Sequence, residues 1–147
     1  MIVRKIESSD IGPCAALFAE VFREAPWNEP WSQQNAKERL AHIYDSKGFV
    51  GFLIEKKNNI IGIVLGNVEP FAGGDAFYLR EMCIMKEEQG KEYGKKLVAC
   101  LHSELAAQKI ARSYLITRRN GLAATFYLAN GYNYEEHEVI YEASINL

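Results

Sequence analysis

The sequence has little that would staple or anchor a chain from outside its own core. Its three cysteines, Cys14, Cys83 and Cys100, are odd in number, widely spaced and set in apolar surroundings, so neither a disulfide framework nor a zinc cluster is expected. No apolar run approaches the roughly 20 residues of a membrane helix. The opening residues do not read as a charged segment followed by the apolar core of a secretory leader. Neither sign of charge dominates: 17 Lys and Arg stand against 19 Asp and Glu, a net charge of -2, which removes the electrostatic footprint of a nucleic-acid binder. His42, His102 and His137 are scattered without metal-ligand spacing, and no metal is expected. These absences point to a cytoplasmic protein with no membrane anchor and no nucleic-acid partner. At 147 residues, 48% of them hydrophobic, the chain suits one globular domain over residues 1–147.

Periodicity divides the chain into alternating elements. Ile2 to Ile6 reads as a short strand. Ser8, Ser9 and Asp10 offer caps for a helix whose Ile11, Cys14, Ala15, Phe18 and Phe22 recur at helical spacing and which ends near Arg23. The segment from Pro26 to Trp31 contains two prolines and cannot continue that helix, and Ser32 can cap a second one from about Gln33 to Tyr44. Two β-rich runs, Phe49 to Glu55 and Ile60 to Val68, flank the turn residues Lys56 to Asn59 and predict a hairpin. Ala76 to Met85 predicts a longer strand. From Tyr93, the apolar residues Leu97, Val98, Leu101 and Leu105 line one helical face. Ser113 to Thr117 reads as a strand, Asn120 can cap a helix through about Ala129, and Asn130-Gly131 supplies a left-handed stop. Tyr132 to Tyr134 and Val139 to Ser144 are expected to close the chain as strands.

The stretch from Phe77 to Leu97 organises the rest: an apolar strand, a polar glycine-containing turn, then the opening of a helix. The first N–H groups of a helix have no intrahelical acceptor and sit at the positive end of its dipole, so the loop from Gln89 to Lys95 can cradle an anion. A nucleotide P-loop is excluded. Its spacing needs four residues between the glycines and Ser or Thr after the lysine, whereas only Lys91, Glu92 and Tyr93 separate Gly90 from Gly94, and Lys96 follows Lys95. The G-x-G-x-x-G spacing of a dinucleotide site is also absent.

Gln89-Gly90-Lys91-Glu92-Tyr93-Gly94, set before the central helix, resembles the signature of the GNAT superfamily of acyl-CoA-dependent N-acetyltransferases: Gln or Arg, two residues, Gly, one residue, then Gly or Ala. Gln89 and Gly94 match, and Glu92 stands where the middle glycine belongs. The resemblance extends over nearly the whole chain, through Met82-Cys83-Ile84 at the strand end to Ala123-Ala124-Thr125-Phe126-Tyr127 and Gly131-Tyr132. It implies a mixed α/β (α+β) GNAT-like domain, with a central, mostly antiparallel mixed sheet flanked by helices in the order β-α-α-β-β-β-α-β-α-β-β.

The resemblance also implies roles. Acetyl-CoA would be the acyl donor, its pantetheine arm along the backbone of Cys83 and Ile84 and its pyrophosphate on the loop amides of Gln89, Gly90, Lys91, Glu92, Tyr93, Gly94 and Lys95. Asn120 is a further candidate for the cofactor as well as a helix cap. A typical alkylammonium has a pKa of about 10.4 and must lose a proton before it can attack a thioester. Glu81, where the family often places a carboxylate, is the candidate base, with a surface ion pair to a neighbour such as Arg80 as its other reading. Tyr127 matches the tyrosine that protonates the departing thiolate, and otherwise covers the core edge. Trp27, Trp31 and Tyr44 can wall an acceptor pocket or anchor the loop, while Glu24, Glu29 and Asp45 can attract a cationic amine. The expected reaction is acetylation of a primary amine on a small molecule or peptide; the alternative is a non-catalytic acyl-CoA-binding module. The fold also allows a homodimer.

Overall fold

A computed structural model describes residues 1–146, which fall into two compact units divided between Ile116 and Thr117. The first contains β1 (Ile2–Lys5), α1 (Ile11–Arg23), α2 (Gln33–Tyr44), β2 (Phe49–Lys56), β3 (Asn59–Glu69), β4 (Ala76–Ile84), α3 (Tyr93–Ala107) and β5 (Arg112–Tyr114). The strands form one sheet in the order β1-β2-β3-β4-β5, antiparallel up to β4 and parallel between β4 and β5. The mixed, mostly antiparallel sheet flanked by helices is the architecture the sequence predicts.

The local signals explain why these elements form. Ser32 caps α2: its hydroxyl accepts from the Asn35 amide at 3.1 Å, while the Asn35 side chain accepts from the Ser32 amide at 2.6 Å. This reciprocal arrangement satisfies helix-end donors. Lys57 and Asn58 both adopt positive φ, 53° and 64°, as the tightest hairpin turn between twisted strands requires. Asp10 does not cap α1 with its side chain. Its carboxylate instead accepts from the Glu7 amide and from both terminal nitrogens of Arg4, at 2.7, 2.8 and 2.9 Å, and the guanidinium holds the carboxyl below its ordinary pKa.

Strand alternation sorts the core onto the two faces of the sheet. Leu53, Ile63, Leu65 and Cys83 pack with Phe18 and Phe22 of α1 and Leu40 and Ile43 of α2. The other face receives α3: a Cβ on Gly62 would meet Leu97 Cδ1 at 3.2 Å, and Leu97, Val98, Leu101 and Leu105 are all buried. Among the described residues, no helix is long and apolar enough to cross a membrane.

The second unit contains α4 (Leu122–Ala129). Gly131, at φ 94°, stops it in the expected left-handed conformation, and the Tyr132 amide donates back to the Tyr127 carbonyl at 3.1 Å. Two expectations fail here. Gly121, not Asn120, is the residue before the helix, and its φ of 124° suits only glycine. The runs 132–134 and 139–144 form no strand. A β-rich composition satisfies half the requirement for a strand; the other half is a hydrogen-bonded neighbour, and among the described residues these runs have no ladder partner.

Candidate active site

The site begins with a backbone irregularity in β4. Leu65 pairs with Glu81 and Gly66 with Leu79, so Arg80 is an extra residue on β4 and the register shifts there. A β-bulge of this kind bends the strand and re-aims its side chains. Gly66 makes the close approach feasible: a Cβ at that position would lie 1.9 Å from the Tyr78 carbonyl oxygen and 2.7 Å from the Phe77 ring.

Beyond the bulge, one edge of β4 is unpaired among the described residues. It pairs with β3 as far as Ile84, but with β5 only over Ala76, Phe77 and Tyr78. The Met85 amide donates to the Ile61 carbonyl of β3 at 2.7 Å. By alternation, the backbone groups of Met82 and Ile84 point away from β3, toward the edge that no strand covers. The two expected pantetheine residues therefore differ. Ile84 presents its backbone to the open edge; Cys83 presents its backbone to β3 and its side chain to the core on the α1 side. Burial raises the Cys83 thiol well above its ordinary pKa, and the nearby Glu81 and Cys14 raise it further, so it is not a poised nucleophile.

The strand runs into a 3-10 turn at Lys86–Glu88 and then α3. The Gln89 side-chain amide donates to the Ile84 carbonyl at 2.9 Å and ties the loop back to the strand end. Lys91, expected near phosphate, is held by Glu88 at 3.2 Å, and Lys56 reaches the same carboxylate at 3.1 Å. Lys95 is exposed. The first-turn amides of α3 lie at the loop, and a Cβ on Gly90 would meet nothing within 4 Å. Unpaired edge, open glycine and helix N-terminus together suit an extended, anion-tipped ligand.

Glu92 departs from the signature for a conformational reason. It precedes α3 with φ 68° and ψ 14°, the left-handed region that favours glycine. Its side chain is exposed and makes no cap bond. Replacement by glycine removes both the strain and the charge; replacement by glutamine removes the charge alone. Both variants are expected to strengthen acetyl-CoA binding about fivefold at low salt, the Coulomb value of about 1 kcal/mol for charges near 4 Å in water, with less gain as salt screens it. Calorimetry showing unchanged affinity in both would rule out a charge handicap.

Glu81 lies on the α1 and α2 face, half-buried, and its carboxylate accepts from Arg39 Nε at 3.1 Å. The sequence suggested Arg80 as the ion partner; the partner is instead Arg39 of α2. Arg39 falls between Ala36 and Leu40 of the buried helical stripe, and a cation beside an apolar stripe was the one signal that could have found it. Burial raises the Glu81 pKa above the ordinary carboxylate value, Arg39 and Arg80 pull it down, and Glu29 adds to the rise.

The aromatic candidates for the acceptor pocket all pack on the core. Trp31 meets Phe18 edge-on at 4.8 Å, Trp27 meets Phe22 at 5.4 Å, and Tyr44 meets Phe49 at 4.8 Å. Trp31 Nε1 donates to Glu29 at 2.8 Å, while Glu24 faces Lys86 at 3.3 Å. In the second unit, the Tyr127 ring contacts Phe126 and Tyr132 at 5.3 and 5.5 Å. Asn120 is exposed just before Gly121.

Comparison with known proteins bears on the family and the fold. The sequence model described as the acetyltransferase (GNAT) family matches residues 15–132. A solved aminoglycoside acetyltransferase from an uncultured soil metagenomic sample, bound to sisomicin, superposes with a TM-score of 0.78 at 16% identity, over 99% of this chain and 96% of that one. An integron cassette protein from the mobile metagenome of V. cholerae gives 0.81 at 16% identity, over 99% and 93%. AAC(6')-Iy, in complex with the bisubstrate analogue CoA-S-monomethyl-acetylneamine, gives 0.76 at 13% identity, over 98% of each chain. At these identities the likeness is one of fold. Comparison with curated proteins finds no match.

Proposed function

The chain belongs to the GNAT family of acetyltransferases, and on that premise we propose that it transfers the acetyl group of acetyl-CoA to a primary amine of a small molecule or peptide. The observation that carries the reading is Glu81, a half-buried carboxylate of raised pKa on the strand whose edge lies open beyond Tyr78. Acetyl-CoA supplies the activated thioester. Along β4, the outward backbone groups of Met82 and Ile84 would pair with an extended amide-containing arm, and the first-turn amides of α3 would hold its phosphates.

Glu81, ionised, accepts a proton from the acceptor ammonium, directly or through water, and frees the nitrogen lone pair. The nitrogen then bonds to the acetyl carbon and the C–S bond breaks; the departing thiolate takes a proton, the role the family resemblance gives the Tyr127 hydroxyl, and the second proton shed by the nitrogen restores the tyrosine while Glu81 returns its proton to solvent. The raised pKa suits a base that must also be protonated in turn. A thiol of ordinary pKa near 8.5 leaves readily as thiolate, so Tyr127→Phe is expected to lower kcat only about 10- to 100-fold, at or below the low end of general-acid contributions. Full turnover by that variant would remove Tyr127 from the chemistry.

The test is release of CoA thiol from excess acetyl-CoA across amine classes. Amine-dependent release supports the proposal. Saturable acetyl-CoA binding with no release for any amine would favour a non-catalytic acyl-CoA-binding module, a reading for which Glu92 in the loop is the specific motive.

A further inference from the structure

Arg4, Arg39, Lys56 and Arg80 are the half-buried Lys and Arg residues among those described. Arg4 is paired with Asp10 and Glu55, Arg39 with Glu81, and Lys56 with Glu88. Among the described residues, no carboxylate forms an ion pair with Arg80. Its Nε is shielded from solvent and makes no hydrogen bond. Its Nη1 lies 3.5 Å from Asn67 Oδ1, the outer limit of a hydrogen bond, and its guanidinium carbon sits 4.8 Å from the centre of the Tyr78 ring. Glu81 is close enough for Arg80 to favour its charged form but makes no ion pair with it; a guanidinium whose desolvated Nε has no acceptor is costly, and the cost is offset when a ligand supplies one.

The bulge gives this cation its address. Asn67 is two residues from Leu65 on β3, so Arg80 reaches toward the same face that holds Leu65, Glu81 and the α1 and α2 core. Arg80 and Glu81 are adjacent in sequence, about 3.8 Å apart at Cα, and share that face. The charged groups around the Glu81 carboxylate are Arg39 from α2, Glu29 from the loop before α2, and Arg80 from β4. Two carboxylates face two guanidiniums, a balance that gives a polycationic acceptor no net attraction.

We propose that the acceptor carries a carboxylate as well as its amine, and that Arg80, framed by Tyr78 and Asn67, binds that carboxylate beside Glu81. The inference rests on the acetyl-transfer reading of the same face. A carboxylate fits better than a phosphate, whose charge of about -1.5 to -2 would need a second free cation, and Arg39 is already committed to Glu81. A small rotation of the arginine stem would bring Nε and a terminal nitrogen into the two-pronged pairing that guanidinium makes with carboxylate. The acceptor class is therefore amino-acid-like, in contrast to the aminoglycoside ligand of the soil-metagenome neighbour.

The experiment compares free amino acids with their amides and with polyamines. Turnover is read by thiol release; binding to the CoA-saturated protein is read by calorimetry. Wild type is expected to prefer free acids over the amides by about 10- to 100-fold, the worth of hydrogen bonds between charged groups, chiefly in KM. Arg80→Met should collapse that ratio and Arg80→Lys should retain part of it, with unchanged acetyl-CoA affinity reporting that each variant is folded. Equal or better use of amides or polyamines, unaffected by Arg80→Met, overturns the inference and leaves acetyl transfer standing. If no amine releases thiol, acetyl transfer falls and calorimetry decides: acid binding lost in Arg80→Met keeps the carboxylate site, and no acid binding overturns it.

Discussion

Replacing Glu81 with glutamine is expected to lower kcat by about 100- to 10,000-fold, the usual worth of a positioned base, with little change in acetyl-CoA affinity. The size of the effect follows from the proton balance: at neutral pH almost all of an amine with pKa about 10.4 is protonated and cannot attack. The same carboxylate sets a pH signature. Because burial raises its pKa against the pull of Arg39, activity should increase with pH through a midpoint above that of an ordinary carboxylate. Arg39→Ala removes a partner that favours the charged form, so the acid limb should move to still higher pH. A pH-rate profile of the wild type and of Arg39→Ala checks both statements. A Glu81→Gln enzyme with wild-type kcat would exclude Glu81 as the base.

Gly66→Ala should be the most damaging single substitution for the fold around the site. The added Cβ meets backbone, the Tyr78 carbonyl at 1.9 Å and its carbon at 2.9 Å, and no side-chain rotation can relieve that contact. Either the bulge opens or β3 and β4 separate. The expected cost is roughly 3 kcal/mol, at the upper end of overpacking penalties, or a fall of about 10 °C in Tm for a chain of this size. Because the bulge aims Glu81, turnover should fall further than the loss of folded protein explains. Gly73→Ala is the control: its Cβ would meet nothing within 4 Å, and the change should stay within about 0.5 kcal/mol. Equal melting temperatures for the two variants would contradict the close approach at Gly66.

Much of this architecture is legible in the sequence because it is written in local signals. Ser32 announces the start of α2; Leu97, Val98, Leu101 and Leu105 fix the buried face of α3; Lys56 to Asn59 marks the hairpin turn. The strand-loop-helix at Gln89 to Gly94 is local in the same sense. What escaped reading depends on distant partners. Periodicity within β4 cannot show that Arg80 is an extra residue, since the shift exists only against Leu65 and Gly66 of β3. The pairing of Glu81 with Arg39 spans α2 and β4 and leaves no spacing to recognise. The runs 132–134 and 139–144 have strand composition without a ladder partner, and composition carries no information about partners. Glu92 was visible as an exception to the signature, but its left-handed backbone, the reason a glycine belongs there, is a property of the folded loop.

The most direct test of acetyl transfer is the mass of the acceptor after incubation with protein and isotopically labelled acetyl-CoA, with amine-blocked acceptors as the control. The account predicts that the acceptor gains one labelled acetyl group on nitrogen, that the gain vanishes when the amine is blocked, and that Glu81→Gln slows it without weakening acetyl-CoA binding. No label on any amine, from a protein that binds acetyl-CoA saturably, would contradict it.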